Sequence, residues 1–197
     1  MSVGLCGATV VILNGWLINA RRVLSPNFNC RPPYAPINAI VVHNISLPPA
    51  QFGGGYIEAF FQNSLDSSAH SYFREIRNLQ VSSHCLIDRF GACTQFVSFG
   101  ERAWHAGVSC LNGEENCNDF SIGIELEGTD NLPYTDAQYD ALVLLCCDVM
   151  RAYPKITLDR IVGHSHIAPE RKTDPGVSFD WVRFRTGLQR SAHGVTS

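Results

Sequence analysis

The chain has 197 residues, which is enough for one domain with a full hydrophobic core, and a second independent domain is not expected. The composition is 45% hydrophobic and 17% charged, as in ordinary globular proteins. Because the net charge is −3 and no basic stripe is present, the sequence argues against a protein that binds nucleic acid.

The beginning of the chain is apolar (MSVGLCGATVVIL) and invites comparison with a signal peptide. No Lys or Arg precedes this run, and the run is far shorter than the roughly 20 apolar residues of a membrane-spanning helix. We therefore interpret residues 1–14 as an extension of uncertain role. A cytoplasmic protein without membrane attachment is expected.

Eight cysteines are present, and their even number raises the question of disulfides. No pair has C-x-x-C spacing, which argues against a zinc knuckle and against a thioredoxin-like site. Without an export signal, reduced thiols are the expected state. A bridge between Cys110 and Cys117 is the one local pairing left open.

The first half of the chain predicts strands around one short helix. The apolar run 39–43 is typical of a strand buried on both faces. After a loop rich in Pro and Gly, a helix is predicted over 56–62, and the polar stretch 69–80 is expected to be irregular. The runs 83–87 and 94–97 then predict a β-hairpin.

The second half alternates strands with longer helices. Residues 121–127 (SIGIELE) alternate strictly, so their apolar and polar side chains face opposite ways. A capping box beginning at Thr135 predicts a helix to about residue 152. A short strand at 160–163 and a last helix at 179–187, capped at Ser178, complete the prediction.

Interleaved strands and helices imply an α/β or mixed α+β domain with one central mixed β-sheet. We expect this domain to span residues 15–190, with a flexible tail at 191–197.

Three side chains with metal-binding chemistry lie at the ends of predicted elements. His43 ends one buried strand, His164 follows another, and Asp174 precedes a stiff Pro-Gly turn. Zinc accepts imidazole and carboxylate ligands, and hydrolytic sites combine three protein ligands with one water. A zinc site made of these three residues would therefore fit.

Spacing alone leaves this metal site open. A single histidine at a strand end is more often a hydrogen-bonded structural residue, and His166 could bind metal together with His164. No H-E-x-x-H helix is present, which excludes the thermolysin-type arrangement.

Glu125 is the candidate general base, because a carboxylate in the middle of an apolar strand is partly desolvated and has a raised pKa. The alternative is that Glu125 and Glu127 share a solvated sheet face. Lys172 lies two residues before Asp174 and could stabilise an oxyanion, or could be an ordinary surface charge.

Five segments together resemble the N-acetylmuramoyl-L-alanine amidase type 2 family, and within it the cytosolic, AmpD-like branch of 1,6-anhydro-N-acetylmuramyl-L-alanine amidases. The resemblance covers nearly the whole chain, from about residue 15 to 188. Its strongest marks are 41–49 (VVHNISLPP), 83–87 (SHCLI), 102–109 (RAWHAGVS), 117–130 (CNDFSIGIELEGTD) and 167–176 (IAPERKTDPG).

The resemblance implies a mixed β-sheet flanked by helices, with a catalytic zinc in a groove. It assigns the metal to His43, His164 and Asp174, water activation to Glu125 and oxyanion stabilisation to Lys172. It also places His166 outside the ligand set.

The implied reaction is hydrolysis of the amide between the lactyl group of 1,6-anhydro-N-acetylmuramic acid and L-alanine of the stem peptide, in peptidoglycan recycling. The implied partner is therefore a small muropeptide, bound by a monomer. Asn44, Trp104 and His105 are candidates for holding this substrate. Trp104 could equally belong to the core, and His105 could support a metal ligand.

Two positions depart from the family pattern. Relatives in this branch often carry arginine where this chain has Gln80 and Asn116. If those arginines bind substrate carboxylates, this chain holds its substrate less tightly or uses other groups, such as Arg77, Arg89 or Arg102.

Two other functions compete with this interpretation. Some peptidoglycan-recognition relatives have lost a zinc ligand and only bind, whereas all three ligands and Glu125 are present here. An envelope amidase acting on polymeric cell wall would need export, which the beginning of the chain does not support.

Overall fold

The computed structural model describes residues 12–193. Most of the predicted N-terminal extension, residues 1–11, and the last part of the predicted tail, residues 194–197, lie outside the described residues. Inside them, the chain begins with a small hairpin in which Ile12–Leu13 pairs with Trp16–Leu17. No helix in this range is both long and apolar enough to cross a membrane.

The described residues form short strands and five α-helices. The strands are β1 (Ile12–Leu13), β2 (Trp16–Leu17), β3 (Arg21–Arg22), β4 (Phe28–Cys30), β5 (Ala39–Ile45), β6 (Cys85–Ile87), β7 (Cys93–Gln95), β8 (Glu101–Ala103), β9 (Cys110–Leu111), β10 (Glu114–Glu115), β11 (Ser121–Glu127) and β12 (Ile161–Gly163). The helices are α1 (Tyr56–Phe61), α2 (Ser71–Ile76), α3 (Asp136–Ala152), α4 (His164–Ile167) and α5 (Trp181–His193), with 3₁₀ turns at Cys117–Asp119 and Leu158–Arg160.

Six strands form the central sheet in the order β12-β5-β11-β6-β7-β3. The strands from β12 to β6 run parallel, β6 pairs antiparallel with β7, and β3 joins β7 in parallel. The β6–β7 pair is the predicted hairpin. The predicted mixed sheet is therefore confirmed, and its two longest strands, β5 and β11, pair with each other.

The two faces of the sheet pack against different elements. One face forms a hydrophobic cluster with α3 and α5 and contains Ile40, Val42, Ile122 and Ile124. On the opposite face, Leu86 packs with α1 and α2, and Val41 packs with apolar residues of segment 106–120. Because side chains alternate along a strand, His43 and Glu125 also lie on this second face.

Helix α3 begins where the sequence predicts. The Thr135 side chain accepts the Gln138 backbone N–H at 3.1 Å, and the Gln138 side chain accepts the Thr135 backbone N–H at 3.1 Å. This reciprocal pair is a capping box. Leu142 and Val149 are fully buried on the face towards the sheet, as the apolar stripe predicts.

Residues 69–80 are not irregular throughout, contrary to the prediction. Helix α2 lies within them and buries Phe73 and Ile76 against α1. The two apolar residues are three positions apart, which suits one helical face but is too short a pattern to predict a helix.

The last helix also differs from the prediction. It begins at Trp181, because the Asp180 carboxylate accepts the Arg183 backbone N–H at 2.8 Å, so Asp180 and not Ser178 caps it. The helix continues to His193, so residues 191–193 of the expected tail are helical.

Replacing Thr135 with Ala is expected to destabilise the protein by about 0.5–2 kcal/mol, because it removes the acceptor for the first turn of α3. The Thr135 hydroxyl also donates to the Arg89 carbonyl at 2.8 Å, which favours the upper part of that range. Urea denaturation measures the change. The matched control is Ser71→Ala at an exposed position, expected to change stability by less than about 0.5 kcal/mol. Equal stability of both variants would contradict this role of the cap.

Candidate active site

His43 and Glu125 lie side by side on the neighbouring strands β5 and β11. Strand β5 continues two residues beyond the predicted end at His43, so this histidine is inside the strand. In the parallel register of β5 and β11, His43 is the direct partner of Glu125. Their side chains therefore project from the same face, and both are buried.

His164 reaches the same point from the neighbouring strand. It is the first residue of α4, directly after β12, and β12 pairs with β5 on the side away from β11. Asp174 arrives from the loop that follows α4, where its carbonyl accepts the Ser165 backbone N–H at 2.9 Å. Three separate segments thus meet at one place.

The three candidate ligand atoms form a nearly equilateral triangle. His43 Nδ1 lies 3.0 Å from His164 Nδ1 and 3.0 Å from Asp174 Oδ2, and His164 Nδ1 lies 3.1 Å from the same oxygen. Ligands at zinc distances of about 2.0–2.1 Å in a tetrahedron are about 3.3–3.4 Å apart. The triangle is therefore close to one face of a zinc coordination tetrahedron.

The chemistry of the donor atoms also fits a cation. His164 Nε2 lies 3.0 Å from the carbonyl oxygen of Ala106, which can only accept, so the ring proton is on Nε2 and Nδ1 presents a lone pair. Asp174 presents a carboxylate oxygen to the same point. Two acceptors 3.1 Å apart repel each other unless a proton or a metal ion lies between them.

Burial and mutual contact set the charges of these groups. Burial lowers the pKa of His43 to about 4, although the nearby Asp174 carboxylate opposes this shift. Burial tends to raise the pKa of Asp174, but its close contacts with His164 and His43 outweigh this effect and lower the pKa below its usual range. At neutral pH the site therefore holds a neutral His43 and an ionised Asp174, the forms that bind metal.

The loop that carries Asp174 packs closely on the end of β11. Tyr134 donates its hydroxyl to the Pro175 carbonyl at 2.7 Å. Gly176 has φ +84° and lies so close to Asp130 that a Cβ there would be 2.1 Å from the Asp130 Cα. Glycine is required at this position by both its backbone conformation and the lack of space.

Glu125 is buried next to this triangle. Its Oε2 atom is fully buried and has no hydrogen-bond partner among the described residues. Burial raises the pKa of Glu125 well above its ordinary value, and the negative charge of Asp174 adds to the effect, whereas the positive charge of Lys172 opposes it. The carboxylate is therefore held in an environment that favours taking up a proton.

The alternative of a solvated sheet face is wrong for both glutamates. Glu127 is also buried, and its carboxylate accepts the backbone N–H groups of Gly53 at 2.5 Å and Arg89 at 3.3 Å. Glu127 thus ties two loops to the end of β11. Of the two acids, Glu125 is the one with an unused carboxylate oxygen.

A cavity of about 370 Å³ opens beside the triangle. Its lining includes the triangle, Glu125, Lys172 and an apolar wall from α1 and α2 that contains Phe60, Phe61, Tyr72 and Ile76. Lys172 is half-buried in this lining. The groove therefore combines a metal-type site, an acid and a cation with room for a ligand.

The three predicted substrate residues also line this cavity, and each already has a protein partner. Asn44 donates its amide to the Asp130 carboxylate at 2.8 Å. The Trp104 indole N–H donates to the Asn29 side chain at 2.8 Å, and its ring is half-buried. His105 Nδ1 lies 3.0 Å from His43 Nε2.

His166 lies apart from the triangle. Its Nδ1 accepts the Gly163 backbone N–H at 3.0 Å at the start of α4, and its ring packs edge-on against Trp181. The possibility that His166 binds the metal together with His164 is therefore not supported by the geometry.

None of the arginines in the described range lines the cavity beside the triangle. Arg102 pairs with the Asp119 carboxylate at 2.5 Å. Arg89 lines a different cavity of about 620 Å³ between α1 and β7. Gln80 and Asn116 are exposed.

The cysteines of the described range are free thiols, including Cys110 and Cys117. The Cys110–Cys117 bridge considered from the sequence is therefore not formed. Cys6, the eighth cysteine, lies outside the described residues.

Sequence reasoning missed two contributors to the site. The Ala106 carbonyl, which orients His164, is a backbone group and has no side-chain signature. Arg171 donates to the carbonyls of Ala106 and Val108 at 2.6 and 2.7 Å, and so fastens this loop to the segment before Asp174. Only its place in the segment 167–176 could have drawn attention to it.

The mixed sheet, the two-histidine, one-aspartate triangle and the buried acid beside it are typical of a metal-dependent hydrolase. The sequence profile described as N-acetylmuramoyl-L-alanine amidase matches residues 33–177. The chain belongs to this family, as the resemblance of its motifs predicts.

Known relatives agree over almost the full length of the chain. The sequence is 56% identical over 179 residues to 1,6-anhydro-N-acetylmuramyl-L-alanine amidase AmpD of Salmonella typhimurium (strain SL1344), covering 91% of this chain and 95% of that protein. A crystal structure of a selenomethionine derivative of AmpD matches with a TM-score of 0.88 and 56% identity, covering 90% of this chain and 99% of that one.

A more distant structure contains a ligand. The amidase AmiD from Escherichia coli, in complex with anhydro-N-acetylmuramic acid-L-Ala-D-γ-Glu-L-Lys, matches with a TM-score of 0.56 and 30% identity. The match covers 80% of this chain and 60% of that one.

In the metal-free protein, the variant Glu125→Gln is expected to become more stable relative to wild type as the pH rises above 4.5, the ordinary pKa of a glutamate. The folded-state pKa of Glu125 lies above its ordinary value of 4.5, so the native state binds the extra proton in this window and loses stability when it is released. Urea denaturation with a chelator present, at several pH values, measures the difference. Parallel pH profiles for the two proteins would contradict the assigned pKa shift; Glu75→Gln, at an exposed position, is the control.

Proposed function

We propose that this chain is a zinc-dependent amidase that hydrolyses the amide between the lactyl group of 1,6-anhydro-N-acetylmuramic acid and L-alanine of the stem peptide. The observation that carries the proposal is the meeting of three metal-type donors with the buried carboxylate of Glu125 in one groove. Two neutral imidazoles and one carboxylate suit zinc.

The relatives support the substrate class. The AmpD relatives are named for 1,6-anhydro-N-acetylmuramyl-L-alanine, and the AmiD complex holds an anhydromuramyl peptide. Because the chain matches AmpD along nearly its whole length, we infer the same bond as its target. The apolar wall formed by α1 and α2 offers apolar contact to a ligand of this class.

His43, His164 and Asp174 would hold a zinc ion, which would supply Lewis acidity and would lower the pKa of a water molecule to about 7, far below its value in bulk water. Glu125 accepts a proton from the attacking water as its oxygen bonds to the carbonyl carbon. It then returns that proton to the alanine nitrogen as the carbon–nitrogen bond breaks. Lys172 stabilises the negative charge on the former carbonyl oxygen.

The raised pKa of Glu125 suits both transfers, because a carboxylate with a raised pKa is a stronger base than an ordinary glutamate. Asn44, Trp104 and His105 remain predictions as substrate contacts. The cytoplasmic location, the monomeric state and the place in peptidoglycan recycling are also parts of this proposal. The proposal also includes weaker binding of substrate carboxylates, because Gln80 and Asn116 stand where relatives in this branch often carry arginine.

Replacing Asp174 with Asn is expected to weaken zinc binding by more than about 100-fold, since it removes the only anionic ligand while keeping the side-chain shape. Competition with a chromophoric chelator measures the affinity, and elemental analysis measures the zinc content. Asp140→Asn, at an exposed position of α3 and on the opposite side of the sheet, should bind zinc as wild type does. Equal affinity of all three proteins would remove Asp174 from the ligand set.

The amidase activity itself is tested with zinc-loaded protein and anhydromuramyl tripeptide, with released peptide detected by mass spectrometry. Wild type should release free peptide, and Glu125→Ala should do so about 10²–10⁴-fold more slowly, because proton transfer contributes that much. Intact sacculi serve as the competing substrate. A preference for sacculi would indicate an envelope amidase, and tight binding of the tripeptide without cleavage would indicate a binding module.

A further inference from the structure

Both ring nitrogens of His105 are in contact with protein atoms. Nδ1 lies 3.0 Å from Nε2 of His43, and Nε2 lies 3.4 Å from the hydroxyl oxygen of Ser121. The ring therefore sits between a candidate metal ligand and the start of β11.

The direction of these hydrogen bonds follows from the partner of the Ser121 hydroxyl. The Ser121 hydroxyl lies 2.5 Å from the Cys117 carbonyl oxygen, which can only accept, so the hydroxyl donates there. Its oxygen is then left as an acceptor towards His105. His105 must donate from Nε2, and its Nδ1 carries the lone pair.

The direction of the hydrogen bond between His105 and His43 follows. Since Nδ1 of His105 accepts, Nε2 of His43 must carry the proton and donate it. A neutral imidazole has only one N–H, so Nδ1 of His43 presents its lone pair to His164 and Asp174. One tautomer of His43 is thereby selected, and it is the one that can bind metal through Nδ1.

Ala106, the residue after His105, selects the tautomer of His164. The Ala106 carbonyl accepts from His164 Nε2, as described above, and leaves its Nδ1 free to bind metal. Asn118 holds both residues in place, because its side-chain oxygen accepts the backbone N–H of His105 at 3.0 Å and of Ala106 at 2.7 Å. A two-residue segment thus orients both imidazoles of the triangle.

Strand β11 leaves space for this arrangement. A Cβ at Gly123 would lie 2.4 Å from Cγ of the His105 ring and 2.7 Å from its Nδ1. Any side chain at this position would displace the ring from His43. Gly123 is therefore needed for the contact, although its own backbone conformation is ordinary for a strand.

We infer that His105 is a positioning residue for the metal site: together with the Ala106 carbonyl, it holds the two histidine ligands in the tautomers that bind metal through Nδ1. This inference rests on the proposed zinc site. It assigns His105 a role through His43 rather than through the substrate. Partners that orient metal-binding imidazoles typically control affinity by 10–100-fold.

The test compares the zinc affinities of wild type, His105→Leu and His105→Asn, measured without substrate by competition with a chromophoric chelator. Leucine fills the space but cannot accept, so the dissociation constant should rise about 10–100-fold. Asparagine branches at the same Cγ and can place its oxygen where Nδ1 was, so its affinity should remain close to that of wild type. The visible spectrum of the cobalt-substituted proteins should change for leucine and not for asparagine.

A direct role of His105 in substrate binding predicts a different result for the leucine variant. If His105 acts by touching substrate, His105→Leu would bind zinc as wild type does and would raise KM at saturating zinc. That result would overturn the inference while leaving the amidase proposal intact. If wild type itself bound no zinc, the proposed metal site would fail first, which the wild-type titration reveals separately.

A measurement on the wild-type chain covers the case in which the leucine variant does not fold. Two-dimensional ¹⁵N–¹H NMR of the zinc-loaded protein distinguishes the protonated from the unprotonated nitrogens of each histidine ring. The inference requires a proton on Nε2 and none on Nδ1 for both His43 and His105. A proton on Nδ1 of either ring would overturn it.

Discussion

Seven consecutive residues of β5 and β11 pair in parallel, from Ala39 with Ser121 to Ile45 with Glu127. This register determines which side chains meet, because a slip of one residue would turn Glu125 towards α3 and away from His43. It is held by the cluster of Ile and Val side chains that both strands bury against α3 and α5. The apolar face of the sheet therefore sets the geometry of the polar face.

Burial on that second face then determines the charges. The surroundings that raise the pKa of Glu125 also keep His43 neutral, because both shifts come chiefly from the loss of solvent. Asp174 stays ionised through its contacts with the two imidazoles. Two carboxylates so close together are unfavourable without compensating positive charge, which Lys172 supplies in part and a bound zinc ion would complete.

The ligands are oriented by groups outside the triangle. The sequence segment 102–109 supplies both the His105 ring and the Ala106 carbonyl. The segment 117–130 supplies Asn118, which accepts the backbone N–H groups of His105 and Ala106, and Gly123, which leaves space for the His105 ring. The two segments resemble family motifs in the sequence. Only the tertiary structure shows that residues of the second segment hold those of the first beside β5.

The alternating and continuous apolar patterns were sufficient to predict β5, β11, α3 and the mixed sheet, because burial period is a local property of a sequence. Residue chemistry pointed to the three metal-type ligands and to Glu125, and the family resemblance separated His164 from His166. The sequence could not determine that both faces of β11 are covered, which group each imidazole contacts, or where short elements such as α2 form. Those outcomes depend on contacts between residues distant in the chain, and only the tertiary structure brings such residues within hydrogen-bonding distance.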